Sequence, residues 1–116
     1  MKPNPIKDKS IDFAILTYEF CKFVDNKHLY EISKQLKKSG TSIGAQIFES
    51  EHAESKADFI HKLSISQKEA NETLYWIEII YKLKAVDLEI LENYKANALE
   101  LKKRLTSIIK KLKNIP

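Results

Sequence analysis

The feature that most restricts the fold is the near absence of residues that turn a chain. In 116 residues there are two glycines, Gly40 and Gly44, and three prolines, at positions 3, 5 and 116. A β-rich domain needs frequent turns, and Gly and Pro supply the backbone conformations those turns require. A chain so poor in them is built from long helices joined by few short loops. Charged residues make up 31% and hydrophobic ones 43%, enough apolar content for a core. The length is that of one domain.

Hydrophobic periodicity predicts helices over about 10–24, 28–53, 56–83 and 88–113, all in one bundle domain spanning 10–113. Residues 1–9 read as a polar arm, since two prolines and alternating charge leave it nothing to bury. Ser10 reads as the first N-cap. Ser55, with Asp58 three residues on, has the form of a capping box for the third helix. Asp87 reads as the cap of the fourth, with Glu89 favourable in its first turn. The second helix has an inward stripe of Leu29, Ile32, Leu36, Ser39, Ile43, Ile47 and Ser50. The third has Phe59, Leu63, Ala70, Leu74, Ile77 and Tyr81. In the fourth, Leu91, Tyr94, Ala98, Leu101, Leu105, Ile108 and Leu112 alternate spacings of three and four, a heptad seam. Four such helices with short connections predict an all-α, antiparallel up-down four-helix bundle.

Two features exceed what a lone bundle needs. The first helix carries two apolar stripes: Ile11, Ala14, Ile15, Tyr18 and Cys21 on one side, and Phe13, Leu16, Phe20, Phe23 and Val24 nearly opposite. One stripe serves a monomer, so the other predicts a second subunit. Gly40 and Gly44 lie one turn apart inside the second helix, where each costs about 1 kcal/mol relative to Ala. That cost predicts close approach of another backbone.

Catalytic constellations are weak. Glu49-x-x-His52 and Asp58-x-x-His61 echo di-iron bundles, yet Glu49, His52 and His61 fall off the apolar stripes and no metal site is expected. Ser39 through Gly44 lacks the Gly-Lys-Ser/Thr ending of a phosphate loop and follows no strand, so helix packing explains it. Cys21 sits on an apolar stripe, as an inert buried thiol does. Glu69, Glu72 and Trp76 share one face of the third helix; acids one turn apart there suit Lys or Arg on a neighbouring helix or subunit. Neither an enzyme nor a cofactor is expected.

Charge points elsewhere. The net charge is +4. Lys102, Lys103, Arg104, Lys110, Lys111 and Lys113 crowd the end of the fourth helix, with no acid after Glu100. Lys34, Lys37 and Lys38 form a second cluster. Both are candidate phosphate-binding faces, whose affinity falls steeply with salt. Cys21 as the single cysteine suits a reducing compartment. The opening Met1-Lys2-Pro3-Asn4-Pro5 lacks a signal peptide's apolar core, and no apolar run reaches membrane-spanning length. A cytoplasmic location without membrane contact is expected.

The stretch from Leu36 to Trp76 resembles a family known as four-helix bundle proteins, or 23S rRNA intervening-sequence proteins. Lys38 through Gln46 follows its Arg/Lys-Ser-Gly-Thr-Ser-Ile-Gly-Ala-Asn segment. Glu49, Ser55 with Asp58-Phe59, Lys68-Glu69-Ala70, Glu72-Thr73 and Tyr75-Trp76 follow at the family's spacing. Gln46 departs from the usual Asn. The resemblance implies a ring-like homopentamer with no established enzymatic activity, related to basic accessory subunits of diversity-generating retroelements that bind a reverse transcriptase and nucleic acid. It marks Gly40, Ile43, Gly44, Glu69, Glu72 and Trp76 as packing or interface positions rather than a catalytic set, and the apolar stripe of the first helix adds Phe13, Phe20 and Phe23. The expected function is a non-catalytic homo-oligomeric binding or scaffold protein that engages RNA or a ribonucleoprotein through its basic faces. The alternative is a structural assembly with protein partners only.

Overall fold

The protein, as a computed structural model, is described over residues 4–114. Its elements are α1 (Pro5–Asp25), α2 (Tyr30–Ser50), α3 (Lys56–Leu83) and α4 (Leu88–Leu112), with no strand among the described residues.

The expected polar arm over 1–9 is corrected: the chain is helical from Pro5, and residues 1–3 lie outside the described ones. The Asn4 side chain accepts a hydrogen bond from the Lys7 N–H at 3.2 Å. Pro5 takes the first helical position, where its missing N–H costs nothing and its fixed φ suits the helix. Ser10 is therefore no cap. It is fully buried, and its Oγ donates to the Lys7 carbonyl at 2.7 Å.

The α2 helix is shorter than expected at both ends. His28 takes a left-handed backbone, φ 59°, and delays its start. Beyond Ser50, turn-type bonds such as His52 N–H to the Glu49 carbonyl close the chain. The Ser55 cap forms as expected, its Oγ accepting from the Asp58 N–H at 3.0 Å. The reciprocal bond lands one residue early, with Asp58 Oδ2 accepting from the Glu54 N–H at 3.1 Å. Asp87 makes no side-chain cap bond; its carbonyl accepts the Leu91 N–H instead.

Contacts between α1 and α2 pair Lys7 with Glu51, Ser10 with Gly44, Thr17 with Gly40 and Asp25 with Lys37. Between α2 and α3, Ser66 Oγ donates to the Ile43 carbonyl at 2.7 Å and Thr73 Oγ1 donates to Ser39 Oγ at 2.9 Å. Between α3 and α4, Gln67 Nε2 donates to Thr106 Oγ1 at 2.6 Å and Lys95 meets Glu78 at 3.4 Å.

The glycines are where α1 lies against α2. A Cβ on Gly40 would sit 2.7 Å from Thr17 Oγ1 and 2.8 Å from its Cγ2; one on Gly44 would sit 2.9 Å from Ser10 Oγ. The predicted close approach is thus made within the chain.

The core follows the expected stripes with three shifts. Leu91, Tyr94, Ala98, Leu101 and Leu105 are buried, but the seam then passes to Ile109 while Ile108 is half-buried. A helix of 3.6 residues per turn drifts off a strict heptad. On α3, Tyr81 is exposed and Ile80 takes the buried place. On α1, Cys21 turns inward beside Phe20 and Val24, whereas Phe23 is exposed.

Candidate nucleic-acid and assembly surfaces

The basic stretch of α4 divides by helical phase. Lys102, Lys103 and Lys110 gather with Leu99, Thr106 and Ser107 around a shallow depression of about 560 Å³. Thr106 Oγ1 donates to the Lys102 carbonyl at 2.8 Å while accepting from Gln67, which fixes the floor. Arg104 pairs within α4, its Nε and Nη2 donating to Glu100 Oε1 at 3.3 and 3.2 Å. Lys9 reaches the same oxygen at 3.2 Å. These two cations, Lys9 foremost, hold the Glu100 carboxyl below the usual carboxylate range. Lys111 and Lys113 are exposed at the helix end, where positive charge suits the dipole.

The α2 cluster is a separate patch. Lys37 is already engaged, 3.8 Å from the Asp25 carboxylate and 5.4 Å above the Tyr18 ring. Lys34 and Lys38 are exposed. Asp25 closes α1, whereas the Lys9–Glu100 pair ties the basic end of α4 to the start of α1. The two basic clusters therefore sit at opposite ends of the molecule and form no common site.

The α1 helix keeps an apolar strip on its outer side. Ile11, Ile15 and Tyr18 are 39%, 56% and 55% exposed, one helical face at spacings of four and three. Phe48 of α2, capped by Lys7 Nζ at 4.3 Å from its ring centroid, extends the strip. Phe13 and Phe20, expected as packing or interface residues, are buried inside the chain, as are Ile43 and both glycines.

On α3, Glu69 is half-buried while Glu72 is exposed. Burial, then the neighbouring Glu72 charge, push the Glu69 carboxyl above its ordinary range, with Lys38 and Lys68 pulling the other way. Trp76 is half-buried, edge-on to Tyr75 at 5.2 Å, and its Nε1 is buried without a hydrogen-bond partner among the described residues. Cys21 is fully buried, its Sγ donating to the Ser33 carbonyl at 3.6 Å, and burial pushes the thiol up. Glu49, His52 and His61 are exposed.

Sequence reasoning missed the seam between α1 and α4. Phe13 and Phe20 stack on the two faces of Tyr94, with ring centroids 4.9 and 4.3 Å apart and planes within 13° and 8°. The Tyr94 hydroxyl and Thr17 Oγ1 hydrogen-bond at 2.7 Å. Ser10 and Thr17 are polar, so an apolar count passes over them; their spacing of seven, facing glycines four apart, was the available signal.

The sequence model of the family described as 23S rRNA-intervening sequence protein matches residues 2–107. A crystal structure of a protein of unknown function from the S23 ribosomal protein family of Bacteroides thetaiotaomicron is 46% identical. It superposes with a TM-score of 0.86, over 90% of this chain and 98% of that one. No curated protein matches the chain.

Proposed function

The chain belongs to the 23S rRNA-intervening sequence protein family, and from that premise we propose a non-catalytic, homo-oligomeric scaffold that engages RNA or a ribonucleoprotein in the cytoplasm. The helix pairings support reading the fold as an antiparallel up-down bundle. The observation that carries the RNA reading is the Lys102, Lys103 and Lys110 depression on α4. Among the described residues no carboxylate lies within ion-pair distance of these lysines or of Lys111. Their charge is available to phosphates, which bind by releasing counterions.

Lys103→Glu, Arg104→Glu, Lys110→Glu and Lys111→Glu together are expected to leave helicity intact and abolish binding of single-stranded RNA. In the parent, log affinity should fall with log salt by about 0.7 for each phosphate neutralised. Filter binding across a salt series reads both quantities. RNA binding that survives the fourfold change overturns the basic-face reading, and the scaffold then serves protein partners only.

The Ile11, Ile15 and Tyr18 strip supports self-assembly, because a helix packed on one side alone has no use for a second apolar face. The family resemblance supports a ring of five. Light scattering is expected to return a multiple of the 13.5 kDa chain, and Ile15→Glu with Tyr18→Glu to return a monomer of unchanged helicity. A monomeric parent, or a variant with the parent's mass, refutes this face.

A further inference from the structure

The α1–α4 seam is open along its outer side. Two hollows of about 290 and 310 Å³ meet at Leu16 and Glu19 and form one groove floored by the Phe13, Tyr94 and Phe20 rings and by Leu101. From Asp12 to Phe23 it runs about 17 Å along α1, some three helical turns. Phe23, 42% exposed, and half-buried Leu16 and Ile90 give it apolar walls, while Ile15 at its edge belongs to the assembly strip.

Its rim has the opposite sign to the rest of the molecule. Asp12 and Glu19 line the α1 side, and Glu89 and Glu100 the α4 side, against one lysine, Lys9. Glu100 is neutralised by Lys9 and Arg104. Asp12, Glu19 and Glu89 have no ion-pair partner among the described residues. On a chain of net charge +4, this concentration of unpaired acids beside apolar surface repels a nucleic-acid backbone and suits an apolar ligand that carries cations.

We infer that the α1–α4 groove is a docking site for a cationic amphipathic helix of a partner protein. The apolar face of that helix would lie on Leu16, Phe23 and Ile90, and its lysines or arginines would reach Glu19 and Glu89. An apolar groove reads such a helix through anchors at i, i+3, i+4 and i+7, and acids on both rims select its charge. The inference stands apart from RNA binding, which uses the outer face of α4.

The test uses a fluorescein-labelled peptide roughly 18 residues long with Leu at helical spacing and Lys elsewhere, titrated by anisotropy. One control replaces every Lys by Glu; another scrambles the order so that no apolar face remains. The amphipathic Lys peptide should bind at least about tenfold tighter than either control. Glu19→Lys with Glu89→Lys should weaken it by about tenfold, and Glu19→Gln with Glu89→Gln, which keeps size and shape, by less. Lys103→Glu with Lys110→Glu, aimed at RNA, should leave peptide affinity unchanged. Equal binding of the three peptides, or indifference to the Glu19 and Glu89 changes, overturns the inference. So does a smaller assembly mass in the Glu19→Lys, Glu89→Lys protein, which would show that a second copy fills the groove.

Discussion

Tyr94→Ala is expected to lower the stability of the fold by about 3–5 kcal/mol, the cost of deleting a large buried ring whose site cannot collapse. Tyr94 is the largest fully buried side chain, and both faces of its ring are occupied by phenylalanines of α1. Removal leaves a cavity between two rings held apart by their own backbone positions. It also leaves Thr17 with its local bond to the Phe13 carbonyl alone. Tyr94→Phe keeps the stack and loses one hydrogen bond, so about 1 kcal/mol is expected. Urea unfolding followed by circular dichroism separates the two. A Tyr94→Ala protein within 1 kcal/mol of the parent, a small effect by this scale, would show that the stack does not hold α1 to α4.

The second large effect is expected at Gly40. Gly40→Ala gains about 1 kcal/mol in helix propensity, yet its methyl meets both γ atoms of Thr17 at 2.7 and 2.8 Å. Thr17 has nowhere to rotate, because Oγ1 is held by the Phe13 carbonyl at 2.9 Å and the Tyr94 hydroxyl at 2.7 Å. Overpacking at such a contact costs about 1–3 kcal/mol, so a net loss is expected, larger for Gly40→Leu. At Gly44 the nearest atom is Ser10 Oγ at 2.9 Å, with Ser10 Cβ and its carbonyl at 3.3 and 3.4 Å. That hydroxyl has one bond to give up, to the Lys7 carbonyl, so Gly44→Ala should cost less than Gly40→Ala. Thermal melts of the three proteins rank them. A Gly40→Ala variant at least as stable as the parent would refute the close approach.

Both effects turn on residues that periodicity alone undervalues. Helix α3 was legible almost to the residue, because Ser55 and Asp58 announce its start and apolar spacing carries it to Leu83. The start of α1 was not: Pro3 and Pro5 look like breakers, although a proline at the first helical position favours a helix. Phase placed Leu36, Ile43, Ile47 and the upper α4 seam inside, where each helix needs one contact face. It read Cys21 as buried, rightly, but grouped it with Ile11, Ile15 and Tyr18, which are exposed, and grouped exposed Phe23 with buried Phe13 and Phe20. The reason is that α1 is apolar on two sides and the boundary between them depends on how the helix rolls against its neighbours. The basic clusters were legible as charge, but their separation to opposite ends was not. That depends on which helix ends meet, and the Asp25–Lys37 and Lys9–Glu100 pairs supply it. The acid-rimmed groove escaped entirely, since its rims come from helices far apart in the chain.

Thr17 touches both neighbours of α1 at once: its γ atoms lie where a Gly40 side chain would be, and its hydroxyl holds Tyr94. Positions 17, 40 and 94 are therefore mechanically coupled. A bulkier residue at 40 presses on the side chain at 17, and a residue at 17 without a hydroxyl leaves the phenol at 94 without this bond. A methyl group added on α2 is thus felt on α4, relayed by one threonine of α1.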